Sequence, residues 1–105
     1  MTPVTSQVAP LATTDTDAYT VTTGYVARVS VTICERSGGT PTYRVAILPS
    51  GESLSSEHYV VYDRAMAAAE SVNYGPYFLN AGDSIRAYAS SANTTFVVNG
   101  YEEAV

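Results

Sequence analysis

Tyr25-Val26-Ala27-Arg28-Val29-Ser30-Val31-Thr32-Ile33 decides the fold class. Tyr25, Ala27, Val29, Val31 and Ile33 share one parity, with Arg28, Ser30 and Thr32 between them on the other. A side-chain repeat of two is that of a β-strand with one buried face. The opposite face, carrying Arg28, Ser30 and Thr32, is expected to meet a partner or a second sheet rather than open water.

Outward from this strand the same pattern recurs in short runs. Upstream, residues 19–22 form a short strand closed by Thr23-Gly24. Downstream, the strand continues to Arg36, and Ser37-Gly38-Gly39-Thr40-Pro41 makes a loop whose glycines permit positive φ. Tyr43, Val45 and Ile47 carry the alternation into the next strand, which stops at the turn Pro49-Ser50-Gly51. Residues 53–57 are polar loop. Residues 58–64 are apolar on both faces, which predicts a strand that is central or faces a partner.

Ala65-Met66-Ala67-Ala68-Ala69 has helical propensity but is too short and uncapped for a secure helix, so residues 65–70 read as a connection. Gly75-Pro76 interrupts residues 72–79, and a proline that cannot donate to a ladder predicts an edge strand or a bulge. Asn80-Ala81-Gly82-Asp83 is a turn, residues 85–89 and 95–99 are the last strands, and residues 100–105 read as a polar tail. Seven or eight short strands with turns at this spacing predict an all-β fold, an antiparallel β-sandwich or jelly roll. Crossover helices for a parallel sheet are missing.

Residues 1–17 differ from the rest, being rich in Thr, Ser, Pro and Ala, with Pro3 and Pro10 and no sustained period. They read as an extended N-terminal arm anchored through Val4, Val8 and Leu11, ahead of a sandwich domain over residues 18–105.

The 105-residue length allows one domain with a modest core. With 46% hydrophobic and 14% charged residues the composition is globular. No apolar run reaches a membrane span and the start lacks a signal-peptide pattern, so a soluble, cytoplasmically made chain is expected. Cys34 is the sole cysteine, which excludes an internal disulfide. A small domain without such staples often gains stability by associating. The net charge of -5 argues against nucleic acid.

All five basic residues are arginines, Arg28, Arg36, Arg44, Arg64 and Arg86, beside nine tyrosines and no tryptophan. Arg and Tyr are enriched and Lys depleted at protein interfaces, because a planar guanidinium and a rigid phenol give contact area at low entropic cost. Codon bias in a GC-rich genome would also remove lysine.

Groups that could carry chemistry lack their usual company. His58 is the only histidine and starts a strand, so neither a zinc site nor a Ser-His-Asp triad is expected. Cys34 reads as a small half-buried side chain. Asp15-Thr16-Asp17 alternates carboxylates without the glycine and closing glutamate of a calcium loop. Asn93-Thr94-Thr95 matches a glycosylation acceptor but has no secretory context. The carboxylate pairs Glu52/Glu57 and Glu102/Glu103 lie in polar segments, where solvated charge is the ordinary reading. No enzyme, cofactor or metal site is expected.

Thr14-Asp15-Thr16-Asp17-Ala18-Tyr19-Thr20-Val21, Gly24-Tyr25-Val26-Ala27-Arg28-Val29 and Ile33-Cys34-Glu35-Arg36-Ser37 resemble small structural proteins of tailed bacteriophages. The likeness continues through Tyr43-Arg44-Val45-Ala46-Ile47, His58-Tyr59, Ala81-Gly82-Asp83 and Ile85-Arg86-Ala87-Tyr88-Ala89-Ser90, and departs at residues 65–76. It implies a β-sandwich virion protein, made in the host bacterial cytoplasm, that decorates the capsid or sits in the tail, neck or baseplate. Its partners would be copies of itself, a trimer for instance, and a larger virion protein such as the major capsid protein, with no nucleic acid and no membrane. Val4, Val8 and Leu11 of the arm, with Tyr59, Tyr62, Arg64, Tyr74 and Tyr77 on the sandwich, are the expected interface. A carbohydrate-binding sandwich is the alternative from another class, through tyrosines stacked on pyranose rings, although the missing tryptophan weighs against it.

Overall fold

The alternation of residues 25–33 becomes an eleven-residue strand in the computed structural model, which describes residues 1–105. Eight strands form: β1 (Thr2–Val8), β2 (Thr16–Thr20), β3 (Tyr25–Glu35), β4 (Thr42–Leu48), β5 (Tyr59–Ala65), β6 (Ser71–Leu79), β7 (Ser84–Ala89) and β8 (Thr94–Ala104). A single 3-10 turn, Ser56–His58, precedes β5. Sheet A has the order β1-β8-β3-β6 and sheet B the order β2-β7-β4-β5, with every pairing antiparallel. The chain is the antiparallel β-sandwich that its periodicity predicts.

The core lies between the sheets. Ala27, Val29, Val31 and Ile33 of β3 and Phe96 and Val98 of β8 face Tyr43 and Val45 of β4 and Ile85, Ala87 and Ala89 of β7. Each large side chain removed from water contributes about 1.5–3 kcal/mol, and this layer is the main favourable term. Two polar contacts cross from sheet to sheet inside it, while the buried Thr94 Oγ1 has no partner. Tyr43 and Tyr74 hydroxyls meet near the β5/β6 side, and Ser6 Oγ donates to Ala18 O at 2.6 Å on the β1/β2 side. Burial of the Tyr43 ring, followed by its bond to Tyr74, holds its hydroxyl well above the usual tyrosine range.

Two buried carboxylates anchor loops at opposite ends of the inner face of sheet A. Glu35 accepts from the Ser37 hydroxyl and from the backbone N–H groups of Ser37, Gly38 and Ala69 at 2.7, 2.8 and 2.9 Å. These donors, the Ser37 hydroxyl first, lower its pKa to about 2. Glu102 accepts from the Tyr19 hydroxyl and from Thr22 N and Oγ1, both at 3.1 Å, so its carboxyl is also held low.

Several segments differ from expectation. Residues 2–8 of the expected arm are strand β1, paired along β8 of the same chain from Thr2 opposite Glu102 to Val8 opposite Phe96. Strand β2 starts at Thr16, ahead of the expected boundary at residue 17. Val4, Ser6 and Val8 do alternate inward. Ser6 masks that period in the sequence because an inward hydroxyl is satisfied by Ala18 O.

The expected polar tail is the second half of β8, which runs to Ala104. Its inward positions are Gly100 and Glu102, so no apolar letter marks the strand. Strand β5 is the exposed edge of sheet B rather than a central strand. Residues 66–70 contain no helix and form the expected connection. Strand β6 is both an edge and bulged, as Gly75-Pro76 predicts: the two residues oppose Ser30 alone.

Candidate functional site

The two outer faces of the sandwich differ in how their charges are satisfied. On sheet B, a bulge places Tyr62 and Asp63 of β5 opposite Arg44 of β4, with Asp63 at φ 48°. Asp63 therefore reaches Arg44, and its carboxylate accepts from Nε at 2.6 Å and Nη2 at 3.1 Å. The guanidinium lies 4.2 Å from the Tyr88 ring centroid and 4.3 Å from that of Tyr62, with Tyr59 packed edge-on to Tyr62. The bond from Arg44 keeps the Asp63 carboxyl below its usual range. Beside it, Arg86 Nη2 donates to Asp15 at 2.7 Å. The two arginines that sheet B turns outward from β4 and β7 are thus paired within the chain.

Arg36, just past the end of β3, reaches over the outer face of sheet A and donates from Nε to Thr95 Oγ1 at 2.6 Å, and within its strands that face carries two charges, Arg28 on β3 and Glu103 on β8. Neither belongs to an ion pair. One cross-strand row runs Phe78, Arg28, Tyr101, Pro3 through β6, β3, β8 and β1. Val26 opposes Glu103 in the next row. Phe78 is 75% and Tyr101 48% exposed, large values for aromatic rings on a sheet. The Arg28 guanidinium stands 5.8 Å from the Phe78 ring centroid. Val26, Arg28, Phe78, Tyr101 and Glu103, with Met1, Ala27, Leu79 and Asn80, line a shallow groove of about 420 Å³. Further along, the strands present neutral polar side chains, with Asn73 Nδ2 donating to Thr32 Oγ1 at 2.8 Å, as far as Arg36.

Of the residues expected at an interface, Tyr59 and Tyr62 are brought together around Arg44 on sheet B. Val4, Val8, Tyr74 and Tyr77 instead pack against the core, half-buried. Burial keeps the Tyr77 hydroxyl above its usual range. Leu11 is 73% exposed in the β1–β2 loop, and Arg64 is exposed at the edge of sheet B opposite Tyr43. These two join no common patch with the others.

Phe78, Tyr101 and Val26 were not legible as surface residues. The bulge at Gly75-Pro76 shifts the phase of β6, so that Tyr77 and Leu79 turn inward and Phe78 outward. A Gly-Pro insertion is the one sequence signal that could have flagged this inversion. His58 is buried; its Nδ1 accepts from Ser55 N at 3.0 Å and its Nε2 faces Glu52 at 3.0 Å, which makes it a local brace of the 3-10 turn. Glu102, expected as solvated charge, is buried because Tyr19 and Thr22 supply donors. Cys34 is half-buried at the end of β3. No group of three or more His, Cys, Asp or Glu side chains is placed to hold a metal ion. In comparisons with family models, curated proteins and solved structures, the chain matches none.

Proposed function

We propose that the chain is a non-enzymatic structural protein of a bacteriophage virion, a capsid decoration or cement protein that binds the capsid surface and stabilises the shell. The observation that carries the reading is the outer face of sheet A, where Met1, Val26, Phe78 and Tyr101 lie around Arg28 and Glu103, neither of them in an ion pair. Aromatic residues, Met and Arg with few charges are the composition of an interface core. A standard interface buries about 800 Å² per partner, roughly one-seventh of the 5454 Å² surface of this molecule. The resemblance of residues 14–21, 24–29, 33–37 and 43–47 to phage structural proteins supplies the partner class.

A sugar-binding module draws less support. Tyr74 and Tyr77 pack on the core, and the Tyr62 and Tyr88 faces are taken by Arg44. Purified protein added to particles that lack it tests the proposal. Binding in many copies across the shell, with a higher temperature of shell rupture, is the expected result. Density confined to the tail, neck or baseplate would move the protein there, and absence of binding at saturating concentration would refute virion membership.

A further inference from the structure

All four edges of the sandwich are blunted against strand addition. β1 carries Pro3; β2 is five residues long with an extra residue at Ala18; β5 holds two bulges, around Tyr62-Asp63 and at Val60; and β6 has the Gly75-Pro76 bulge. Short, bulged or proline-bearing edges are how sheets avoid pairing with other chains. Association is therefore left to the faces. Sheet B has its outward arginines of β4 and β7 neutralised internally by Asp63 and Asp15. The outer face of sheet A has not.

We infer that the outer face of sheet A binds a second copy of this chain about a two-fold axis, with Arg28 of each copy paired to Glu103 of the other. The patch around the groove is self-complementary in charge: Arg28 and Glu103 are its cation and its anion, both exposed and both without an ion-pair partner in their own chain, and Arg36 stands apart from it over Thr95. Arg28 lies opposite Tyr101, and Glu103 opposite Val26, so the two charges occupy one diagonal of a four-residue patch on β3 and β8. A two-fold axis lying between the copies and crossing that diagonal at its midpoint exchanges the charges. Each Arg28 then meets a Glu103, and both pairs form at once. The other diagonal, Val26 and Tyr101, lies close to the axis, so each meets its own counterpart. Phe78 and Met1 flank this centre and exclude water from it. Arg28 and Glu103 balance each other within this patch, so the net charge of -5 carried elsewhere does not set like side-chain charges against each other at its centre. The pairing occupies the face from which the function above is argued, so the dimer is the free form of the protein and parts when that face meets a shell; sedimentation needs no virion, so its failure is distinguishable from a failure of shell binding.

Sedimentation of the purified chain over a wide concentration range provides the test. Wild type is expected to reach twice the 11.1 kDa chain mass. Arg28→Glu and Glu103→Arg should each weaken the dimer at least about tenfold, because each sets like charges face to face. The double variant should recover wild-type affinity to within about threefold, since the swapped pair is complementary again. Circular dichroism on each variant establishes that it folds. A wild-type monomer at the highest concentration, a trimer mass, a dimer indifferent to both single substitutions, or a double variant as weak as the singles would each overturn the inference.

Discussion

Glu35 and Glu102 show what a single side chain does when it is polar and inward. Each sits on the inner face near the end of its strand, and each is kept there by donors that include the backbone of a loop. A buried carboxylate without those donors would be strongly unfavourable. Folding lowers the Glu35 pKa from 4.5 to about 2, so the folded state binds fewer protons than the unfolded one between those values. Its stabilising contribution is complete above about pH 4.5 and is lost as pH falls through about 2. Glu35→Gln should therefore lower the denaturant midpoint at neutral pH, and the gap to wild type should close as the pH is taken from about 4.5 toward 2. Urea titrations of both proteins across that range check it; a gap independent of pH would mean that the charge is not what the loops hold. These residues mark the limit of what the sequence discloses. Periodicity identifies inward positions by apolar letters, and Ser6, Glu35, Gly100 and Glu102 are inward for reasons that depend on partners far along the chain.

At the scale of elements, β1 and the second half of β8 are what sequence reading did not resolve, and residues 2–4 of the one pair with residues 100–102 of the other. The alternating stretches of β3 and β4 were legible because their inward residues, Ala27 to Ile33 and Tyr43 to Ile47, are hydrophobic. Strand β1 closes sheet A by covering the edge of β8, and its Val4 and Val8 pack half-buried on the core. Deleting residues 1–8 should destabilise the isolated protein by at least about 2 kcal/mol, from two partly buried valines and an uncovered strand. An arm that served only a neighbouring molecule would leave the stability of the free chain unchanged, and thermal unfolding separates the two. Gly100 makes the second element-scale prediction. A Cβ there would collide with Arg28 O and lie 2.8 Å from Val29 Cα, because β8 and β3 approach closely at this point. Gly100→Ala should cost about 1–3 kcal/mol in a denaturant titration, as overpacking that backbone must relieve. The same locality hid the candidate site: Phe78 reaches the surface only because Gly75-Pro76 inverts the phase of β6.

Over the whole molecule, the arrangement separates a self-sufficient face from an unsatisfied one. Sheet B surrounds Arg44 with Asp63 and three tyrosines and pairs Arg86 with Asp15, whereas sheet A displays Arg28, Glu103, Phe78 and Tyr101 without internal partners. The tyrosines and arginines that mark the composition as interface-like are thus divided, and only part of them is free to bind. That division was not readable from the sequence, since Asp63 reaches Arg44 through a bulge and Asp15 lies 71 residues from Arg86. The central claim is that sheet A, and not sheet B, is the face the molecule covers when it associates. Hydroxyl-radical footprinting of dilute and concentrated protein reads it residue by residue. Phe78 and Tyr101 should become protected on concentration while Tyr62 and Leu11 stay equally reactive; protection of Tyr62 instead, or reactivity at Phe78 and Tyr101 that does not change with concentration, would contradict the account.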